Sequence, residues 1–337
     1  MRDKITHIKI CERQPIMDIY VPDYYENFRC TGSSCRDNCC IGWEIDIDSE
    51  ALDRYMILDG ALGNELRANI TRSEDGSDCF KLAQNDRCPF LNESNLCRLI
   101  LAGGEEMLCE ICHLHPRFRQ WFGDRCEMGI GLCCEEAARI IVNDPKPFGL
   151  HILSSEDGGG ELSDVQRRLL CTREELFEII RQGKDFPEIS ERLLKRCSDA
   201  EKELFGTQPM RTAVNHDVTY AKDVHFLISY LEPLNAHWEK VCGDLSPVYA
   251  APDEKELSGY KNLLSYYIFR YFMKSADDGE MFLKAALAVF SAECAALISK
   301  FTGQSLEESV CLWSKETEYS EENLDMLYDF LYTCHYE

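Results

Sequence analysis

The sequence has few basic side chains for its size. Its 337 residues include 36 lysines and arginines against 60 aspartates and glutamates, which gives a net charge of −24. Proteins that bind nucleic acid need cationic side chains to neutralise phosphates, so we expect no nucleic-acid partner. Strong acidity favours solubility and permits a basic partner, such as a lysine-bearing protein segment.

Long uninterrupted apolar runs are also missing. The first ten residues alternate charged and apolar side chains, unlike the apolar core of a secretory signal. The longest apolar stretch, residues 281–298, is interrupted by Lys284 and Glu293. A membrane span should be nearly free of charge, so this stretch is predicted to be a buried helix. We therefore expect a cytoplasmic protein with no membrane partner.

Cysteine, in contrast, is abundant. The chain has 19 cysteines, and twelve of them lie between Cys30 and Cys134. An odd total fits a disulfide framework poorly, and cytosolic thiols stay reduced, so dense clusters favour metal binding. Isolated cysteines are more simply interpreted as small buried apolar residues. The cysteines given that interpretation are Cys171, Cys197, Cys242, Cys294, Cys311 and Cys334.

The clustered cysteines have the spacing of metal ligands. A turn that points two sulfurs at one ion separates its ligands by two to four residues. Cys35 and Cys39 meet this condition, as do Cys109 and Cys112. Four-thiolate sites suit both Zn²⁺ and iron–sulfur clusters, so the metal stays open.

Two further features of these clusters bear on ligand assignment. Cys39 and Cys40 are adjacent and would be strained as two ligands of one tetrahedral ion. Either the two cysteines serve different centres or one of them is not a ligand. His113 and His115 follow Cys112 and are additional candidate ligands, although a surface or supporting role fits them equally well.

The pattern along the chain predicts a mainly α protein in two parts. Residues 1–150 are interpreted as a cysteine-rich, metal-organised module with short β elements, and residues 151–337 as a helical domain. Apolar and acidic side chains alternate over residues 43–48, which predicts a short strand with Trp43, Ile45 and Ile47 facing inward. A helix should begin at Ser49. The acidic, glycine-rich segment 154–160 is predicted to be a linker or surface loop.

Helix signals recur throughout the second part. Ser163 with Gln166, Thr172 with Glu175, and Ser305 with Glu308 each have the spacing of a capping box. Gly183 is a predicted helix stop, and Ser320 a predicted start. Further helices are predicted at about residues 190–205, 217–231, 256–274 and 279–301.

Taken together, the motifs resemble the flagellin lysine-N-methylase (FliB) family. A broader cysteine-cluster family, described as zinc- or iron-chelating, shares the cysteine knots. The segments that carry the resemblance are residues 30–43 (CTGSSCRDNCCIGW), 88–97 (CPFLNESNLC), 104–117 (GEEMLCEICHLHPR), 132–139 (LCCEEAAR) and 260–270 (YKNLLSYYIFR). The chain departs from the family at His115, where a tyrosine is usual, and at Glu135, where a proline is usual.

The resemblance implies methyl transfer from S-adenosylmethionine to lysine side chains of flagellin, which makes flagellin the expected partner. It also implies a cysteine-bound iron–sulfur cluster or zinc. Three cysteines are extra to the family pattern: Cys109, Cys126 and Cys133. The metal ligands that it implies are Cys30, Cys35, Cys39, Cys40, Cys88, Cys97, Cys112 and Cys134.

No common S-adenosylmethionine signature accompanies these motifs. A Gly-x-Gly turn after a clear strand is missing, and Gly42 stands where the third cysteine of a radical-enzyme motif would fall after Cys35 and Cys39. Acidic and tyrosine side chains often line lysine sites, but the sequence does not select among them. The catalytic and cofactor-binding residues are therefore unassigned. The alternative interpretation is a non-enzymatic metal-binding protein, or a redox or electron-transfer protein.

Overall fold

Helices make up most of the chain, and strands are confined to its N-terminal part. The computed structural model describes residues 16–36, 38–42, 44–73, 76–208, 210–212, 215–234 and 236–336. The strands are β1 (Ile16–Pro22), β2 (Ile70–Arg72), β3 (Asp78–Phe80), β4 (Arg117–Phe122), β5 (Arg125–Ile130) and β6 (Leu150–Asp157). The predicted class, a mainly α protein with short β elements toward its N-terminus, is confirmed.

Five helices lie in the cysteine-rich part and nine in the helical part of the described chain. The short ones in the cysteine-rich part are α1 (Ser49–Ile57), α2 (Gly60–Ala68), α3 (Arg98–Gly103), α4 (Glu110–Leu114) and α5 (Glu135–Val142). The helical part contains α6 (Asp164–Gln182), α7 (Phe186–Phe205), α8 (Val218–Tyr230), α9 (Ala236–Asp244), α10 (Leu257–Tyr271), α11 (Ser275–Asp278), α12 (Met281–Thr302), α13 (Leu306–Glu318) and α14 (Glu321–Tyr336). The predicted helices of the second part are confirmed, and α9 and the short α11 were not predicted.

A four-stranded sheet in the order β4-β5-β1-β6 joins distant segments. Strand β1 is parallel to β5 and antiparallel to β6, with Ile19 opposite Ser154 and Ile16 opposite Asp157. The prediction of a loop over residues 154–160 is therefore wrong for its first part. Most of β6 is exposed, because it is an edge strand with polar side chains on both faces, so it has no period-two alternation of apolar residues.

The strand predicted for residues 43–48 is also largely wrong, although its burial pattern is partly right. Only an isolated bridge between Asp46 and Cys79 forms there. Ile45 and Ile47 are buried as expected, and their backbones hydrogen-bond to β3. Trp43 lies outside the described residues. The predicted helix start at Ser49 is confirmed.

The observed ends of the helices agree with the predicted capping residues at some positions and differ from them at others. Ser163 and Ser305 both form reciprocal capping boxes, as predicted. The capping box predicted at Thr172 is wrong, because Thr172 lies inside α6 and its hydroxyl donates to the carbonyl of Arg168 at 3.1 Å. Helix α6 ends before Gly183, the predicted stop.

The Ser163 cap gives a direct stability test. The Ser163 Oγ accepts a hydrogen bond from the Gln166 N–H at 3.1 Å, and the Gln166 side chain accepts one from the Ser163 N–H at 2.9 Å. Ser163→Ala should lower the free energy of unfolding by about 1 kcal/mol, because the backbone N–H of Gln166 loses its hydrogen-bond acceptor. Ser163→Gly is the matched control and should cost only a few tenths of that amount. Denaturant unfolding measures both, and equal losses would contradict the capping argument.

Three hydrophobic clusters lie among the described residues: a small one in the sheet, made by Ile19, Val21, Cys126 and Met128, and two that form the main cores. The larger one is centred on α10 and α12 and also takes in Phe28, Ile130 and Leu132 from the cysteine-rich part. The smaller one lies within residues 45–112 and contains Phe80 and Phe90. Helix α12 is long and apolar enough to span a membrane by composition alone, but its most apolar window is wholly buried in the protein. The prediction of a buried helix there is confirmed. The boundary near residue 150 stays a prediction.

Candidate metal centre

The structure places the predicted ligands in two neighbouring groups. We name the first the inner thiol group, because it lies against the smaller core; its members are Cys40, Cys88, Cys97, Cys109 and Cys112. We name the second the outer thiol group, because it faces α5 and α13; its members are Cys30, Cys35, Cys39 and Cys134. The eight cysteines implied as ligands all fall in these groups, and Cys109 is the one addition.

Short backbone contacts assemble the inner thiol group. The Cys88 N–H donates to the carbonyl of Cys40 at 2.9 Å, and an antiparallel bridge between Leu91 and Cys97 brings Cys97 back toward Cys88. The thiols of Cys109 and Cys112 hydrogen-bond to each other across one turn. Five cysteines from three separate motifs therefore meet at the smaller core, with Cys88 and Cys109 buried in it and the other three packed against it.

The outer thiol group is held against the helical part. The Cys35 thiol donates to Glu135 Oε2 at 3.6 Å, and the Arg36 backbone N–H donates to the same oxygen at 2.8 Å. The Arg36 guanidinium also forms ion pairs with Glu135 and with Glu308 of α13. Burial is the main cause that raises the pKa of Cys134, at the N-cap of α5, and Cys39 and Cys30 lie close enough to add to the rise. The outer thiol group thus links the first cysteine knot to two helices.

Cys39 and Cys40 stand where the two groups meet. Their thiols hydrogen-bond to each other, which lowers the pKa of Cys39 and raises the pKa of Cys40. Their other sulfur neighbours differ, since Cys39 lies near Cys134 and Cys40 lies near Cys88 and Cys97. This arrangement favours different centres for the adjacent pair, which stays a prediction.

The thiols approach in pairs rather than in closed tetrads. Among the described residues, no three His, Cys, Asp or Glu side chains are close enough to form a preassembled metal site. Burial raises the pKa of both Cys88 and Cys134 to about 11, although backbone N–H groups act against it. These side chains are therefore protonated at neutral pH, and metal binding would have to release their protons.

The residues present nevertheless fit a thiolate-bound metal. Cysteine thiolates are preferred ligands of Zn²⁺ and of iron–sulfur clusters. His115 lies beside Cys39, and its Nε2 is buried without a hydrogen-bond partner in the part of the chain that is described. The His115 side chain also hydrogen-bonds to the Cys39 thiol and helps to lower its pKa, so one ring contacts a ligand candidate and has a free nitrogen for a metal. His113, the other candidate histidine, is exposed.

Some cysteines and aromatic residues have other roles. The Cys133 thiol donates to the Tyr319 hydroxyl at 2.9 Å, and the Cys311 thiol donates to the Cys133 carbonyl at 3.3 Å. Cys133 therefore joins the packing of the helical part. Phe118 packs against the rings of Tyr266 and Phe269, so it anchors β4 to α10. On the same strand, Trp121 is 61% exposed, whereas Phe122 is buried.

The structure corrects one assignment made from the sequence, at Cys171, and adds one residue, Glu135. Among the cysteines interpreted as buried, Cys171 is exposed on α6. Sequence patterns missed the role of Glu135, although its position directly after Cys134 could have drawn attention to it.

Comparison with known proteins tests the resemblance. Curated proteins named lysine-N-methylase from two Salmonella strains, choleraesuis SC-B67 and typhimurium LT2, are 29% and 28% identical over 157 and 158 residues. The match covers 44% of this chain and 39% of each relative. The resemblance to the flagellin lysine-N-methylase family is confirmed. A flagellar biosynthetic protein FliU from Salmonella muenchen is 29% identical over 134 residues, which is 38% of this chain and 79% of that protein.

The extent of the relationship is limited. The match spans only about two fifths of the length of the curated lysine-N-methylases. No family model matches the chain. No solved structure matches it either.

Proposed function

We propose that the protein transfers methyl groups from S-adenosylmethionine to lysine side chains of flagellin. The observation that carries the proposal is the similarity to curated proteins named lysine-N-methylase, supported by the flagellar name of a third relative. The acidic chain is suited to a lysine-bearing substrate, because opposite charge speeds encounter and favours docking. We place the reaction in the cytoplasm, with no nucleic acid or membrane involved.

The proposal includes a metal or iron–sulfur centre in the cysteine-rich part. The inner thiol group would use Cys40, Cys88, Cys97 and Cys112, with Cys109 as an alternative ligand. The outer thiol group would use Cys30, Cys35, Cys39 and Cys134, with His115 within reach of Cys39. A bound metal would supply either a rigid scaffold, if it is zinc, or redox chemistry, if it is an iron–sulfur cluster.

The residues around the outer thiol group would connect a metal centre there to the helices of the large core. Arg36 connects this group to Glu135 and Glu308, and Cys134 starts α5, which packs on α10 and α13. Ordering the thiols would therefore fix the first knot against the helices that build the large core. In this way a centre in one part can position residues of the other.

Methyl transfer is tested on flagellin itself. Protein purified without oxygen is incubated with flagellin and S-adenosylmethionine, and lysine-containing peptides are then analysed by mass spectrometry. We expect lysines to gain methyl groups, with one S-adenosylhomocysteine formed per methyl. Flagellin whose lysines have been chemically blocked is the control and should accept none. Metal-replete protein that leaves flagellin unchanged would contradict the proposal and favour a non-enzymatic metal-binding or redox role.

A further inference from the structure

A cavity in the helical part lies where the C-terminal end of α6 meets the first turns of α10 and the segment that joins α5 to β6. It has a volume of about 260 Å³. Pockets for drug-sized ligands have volumes of about 300–1,000 Å³, so this cavity has room for a compact small molecule. Neither thiol group contributes to its lining.

The lining of this cavity is basic, although the chain as a whole has a net charge of −24. Its charged residues are Lys146, Arg181 and Lys261, and it contains no aspartate or glutamate. Arg181 forms an ion pair with Glu178 on the same helix. Within the described part of the chain, no carboxylate forms an ion pair with Lys146 or Lys261. Two ammonium groups without a paired carboxylate therefore line one cavity, which attracts an anion.

Hydrogen bonds hold the two lysines at the cavity. The Lys261 Nζ donates to the carbonyl of Arg181, at the end of α6, at 3.1 Å. An ammonium group has three donors, so this bond leaves two of them for a ligand. The Asn262 Nδ2 donates to the carbonyl of Asp144 at 2.9 Å. This contact ties the segment that carries Lys146 to α10.

Two buried polar side chains of α10 have unused hydrogen-bonding capacity at the cavity. Ser265 is 3% exposed, and its hydroxyl forms no hydrogen bond with any residue that the structure describes. Asn262 is also buried, and its Nδ2 is bound to the neighbouring segment, so its Oδ1 is left as an acceptor. Buried polar groups without a partner are costly, and a ligand that pairs with them removes that cost.

The rest of the lining is mainly apolar and includes two aromatic rings. Phe177 and Ile180 come from α6, and Leu257 comes from the start of α10. Phe148 is half-buried, and its ring packs on that of Phe177 with centroids 4.6 Å apart. A flat ring of a ligand can pack against Phe148 in the same way. The cavity thus combines cationic groups with an aromatic surface.

We propose that this cavity binds a small phosphate monoester that carries a flat ring, of about the size of a mononucleotide. A phosphate monoester has close to two negative charges at neutral pH, which matches the two unpaired lysines, Lys146 and Lys261. The ring packs against Phe148, and hydroxyl groups of the ligand pair with Asn262 and Ser265. S-adenosylmethionine, with its positive sulfonium and ammonium groups, does not suit this basic lining. The proposal therefore goes beyond the proposed function and does not depend on it.

Binding of adenosine monophosphate to the full chain tests the cavity. Adenosine, which lacks the phosphate, and inorganic phosphate, which lacks the ring, are the two partner probes. We expect the wild-type protein to bind adenosine monophosphate at least about tenfold more tightly than either partner probe, because each partner loses one set of contacts. Calorimetry in a phosphate-free buffer gives the dissociation constants. Equal affinity for adenosine monophosphate and adenosine would overturn the phosphate site, and equal affinity for inorganic phosphate would overturn the ring site.

Substitution of the two lysines tests which groups hold the phosphate. Lys146→Ala should weaken binding of adenosine monophosphate about tenfold, and so should Lys261→Gln. The glutamine removes the charge but keeps a donor for the Arg181 carbonyl, so the end of α6 stays bonded. Lys195→Ala is the matched control, because Lys195 pairs with Asp199 on α7 and does not line the cavity. Circular dichroism checks folding. Normal affinity in both lysine variants of the cavity would overturn the proposal.

Competition with the methyl donor separates this cavity from the proposed function. An excess of S-adenosylmethionine should leave the affinity for adenosine monophosphate unchanged within about twofold. Displacement of the nucleotide by S-adenosylmethionine would overturn the assignment to a phosphate monoester. Methylation of flagellin by a protein that does not bind adenosine monophosphate would leave the function intact and remove the cavity site. Binding through Lys146 and Lys261 without any methyl transfer would do the opposite.

Discussion

Replacing Cys40 and Cys112 by serine should release metal from the protein and lower its melting temperature by more than about 10 °C. Both cysteines pack against the smaller core, which is built from few apolar residues, so bound metal would supply much of its stability. A serine hydroxyl does not replace a thiolate as a ligand of zinc or iron. Metal analysis and thermal unfolding measure the two effects.

The control for these substitutions is Cys171→Ser. Cys171 is exposed on α6 and belongs to neither thiol group, so its replacement should change neither metal content nor melting. Cys35 and Cys39, replaced together, should release only the metal of the outer thiol group. Full retention of metal with unchanged melting in the inner double variant would contradict the ligand assignment.

Removing the charge of Arg173 should destabilise the protein by about 3–5 kcal/mol. Arg173 and Glu127 are fully buried and form two parallel hydrogen bonds, one at 2.8 Å, that tie α6 to β5. In Arg173→Met, Glu127 keeps only its ion pair with Arg125 and is left with an incompletely paired buried charge. Chemical denaturation measures the loss in unfolding free energy.

An exposed arginine on the same helix is the matched control. Arg181 pairs with Glu178 one turn away at the surface, so Arg181→Met should cost less than about 1 kcal/mol. The double variant Arg173→Met with Glu127→Leu should recover part of the loss, because it removes both buried charges. Equal effects of Arg173→Met and Arg181→Met would show that the buried pair is not specially important.

The buried ion pair of Arg173 and Glu127 also determines how the stability of the protein changes at low pH. Burial alone would raise the pKa of Glu127, but Arg173 and Arg125 outweigh it and hold that pKa below its usual value. A carboxyl whose pKa is lowered on folding contributes stability above its unfolded pKa and loses it as the pH falls through the folded value. The Glu127 contribution should therefore be complete at neutral pH, begin to fall only as the pH drops into the usual glutamate range, and be lost as the pH falls through the lowered pKa of the folded state.

Local signals explain why the helical part was well predicted from sequence. Ser163 and Ser305 carry both partners of a capping box within four residues, so each helix start is encoded locally. Thr172 has the same local pattern but lies inside α6, because the apolar stripe of that helix continues through it. The sheet depends on pairing between β1 and strands more than 100 residues away, and no local pattern announces such partners.

In the candidate site, too, local pairs were predicted from the sequence, whereas long-range contacts were not. The two-residue spacing of Cys109 and Cys112 predicted a local pair, and their thiols are hydrogen-bonded. Cys134 joins Cys30 and Cys39 only through tertiary packing, and here the resemblance to a family, rather than spacing, indicated a shared set.

Elemental analysis of the native protein tests most directly whether the thiol groups hold metal. Protein purified without oxygen is assayed for iron, zinc and acid-labile sulfide per chain. We predict bound metal in stoichiometric amount: iron with matching sulfide if the centre is a cluster, or zinc without sulfide if it is a scaffold. Fully folded protein that contains neither iron nor zinc would contradict this prediction.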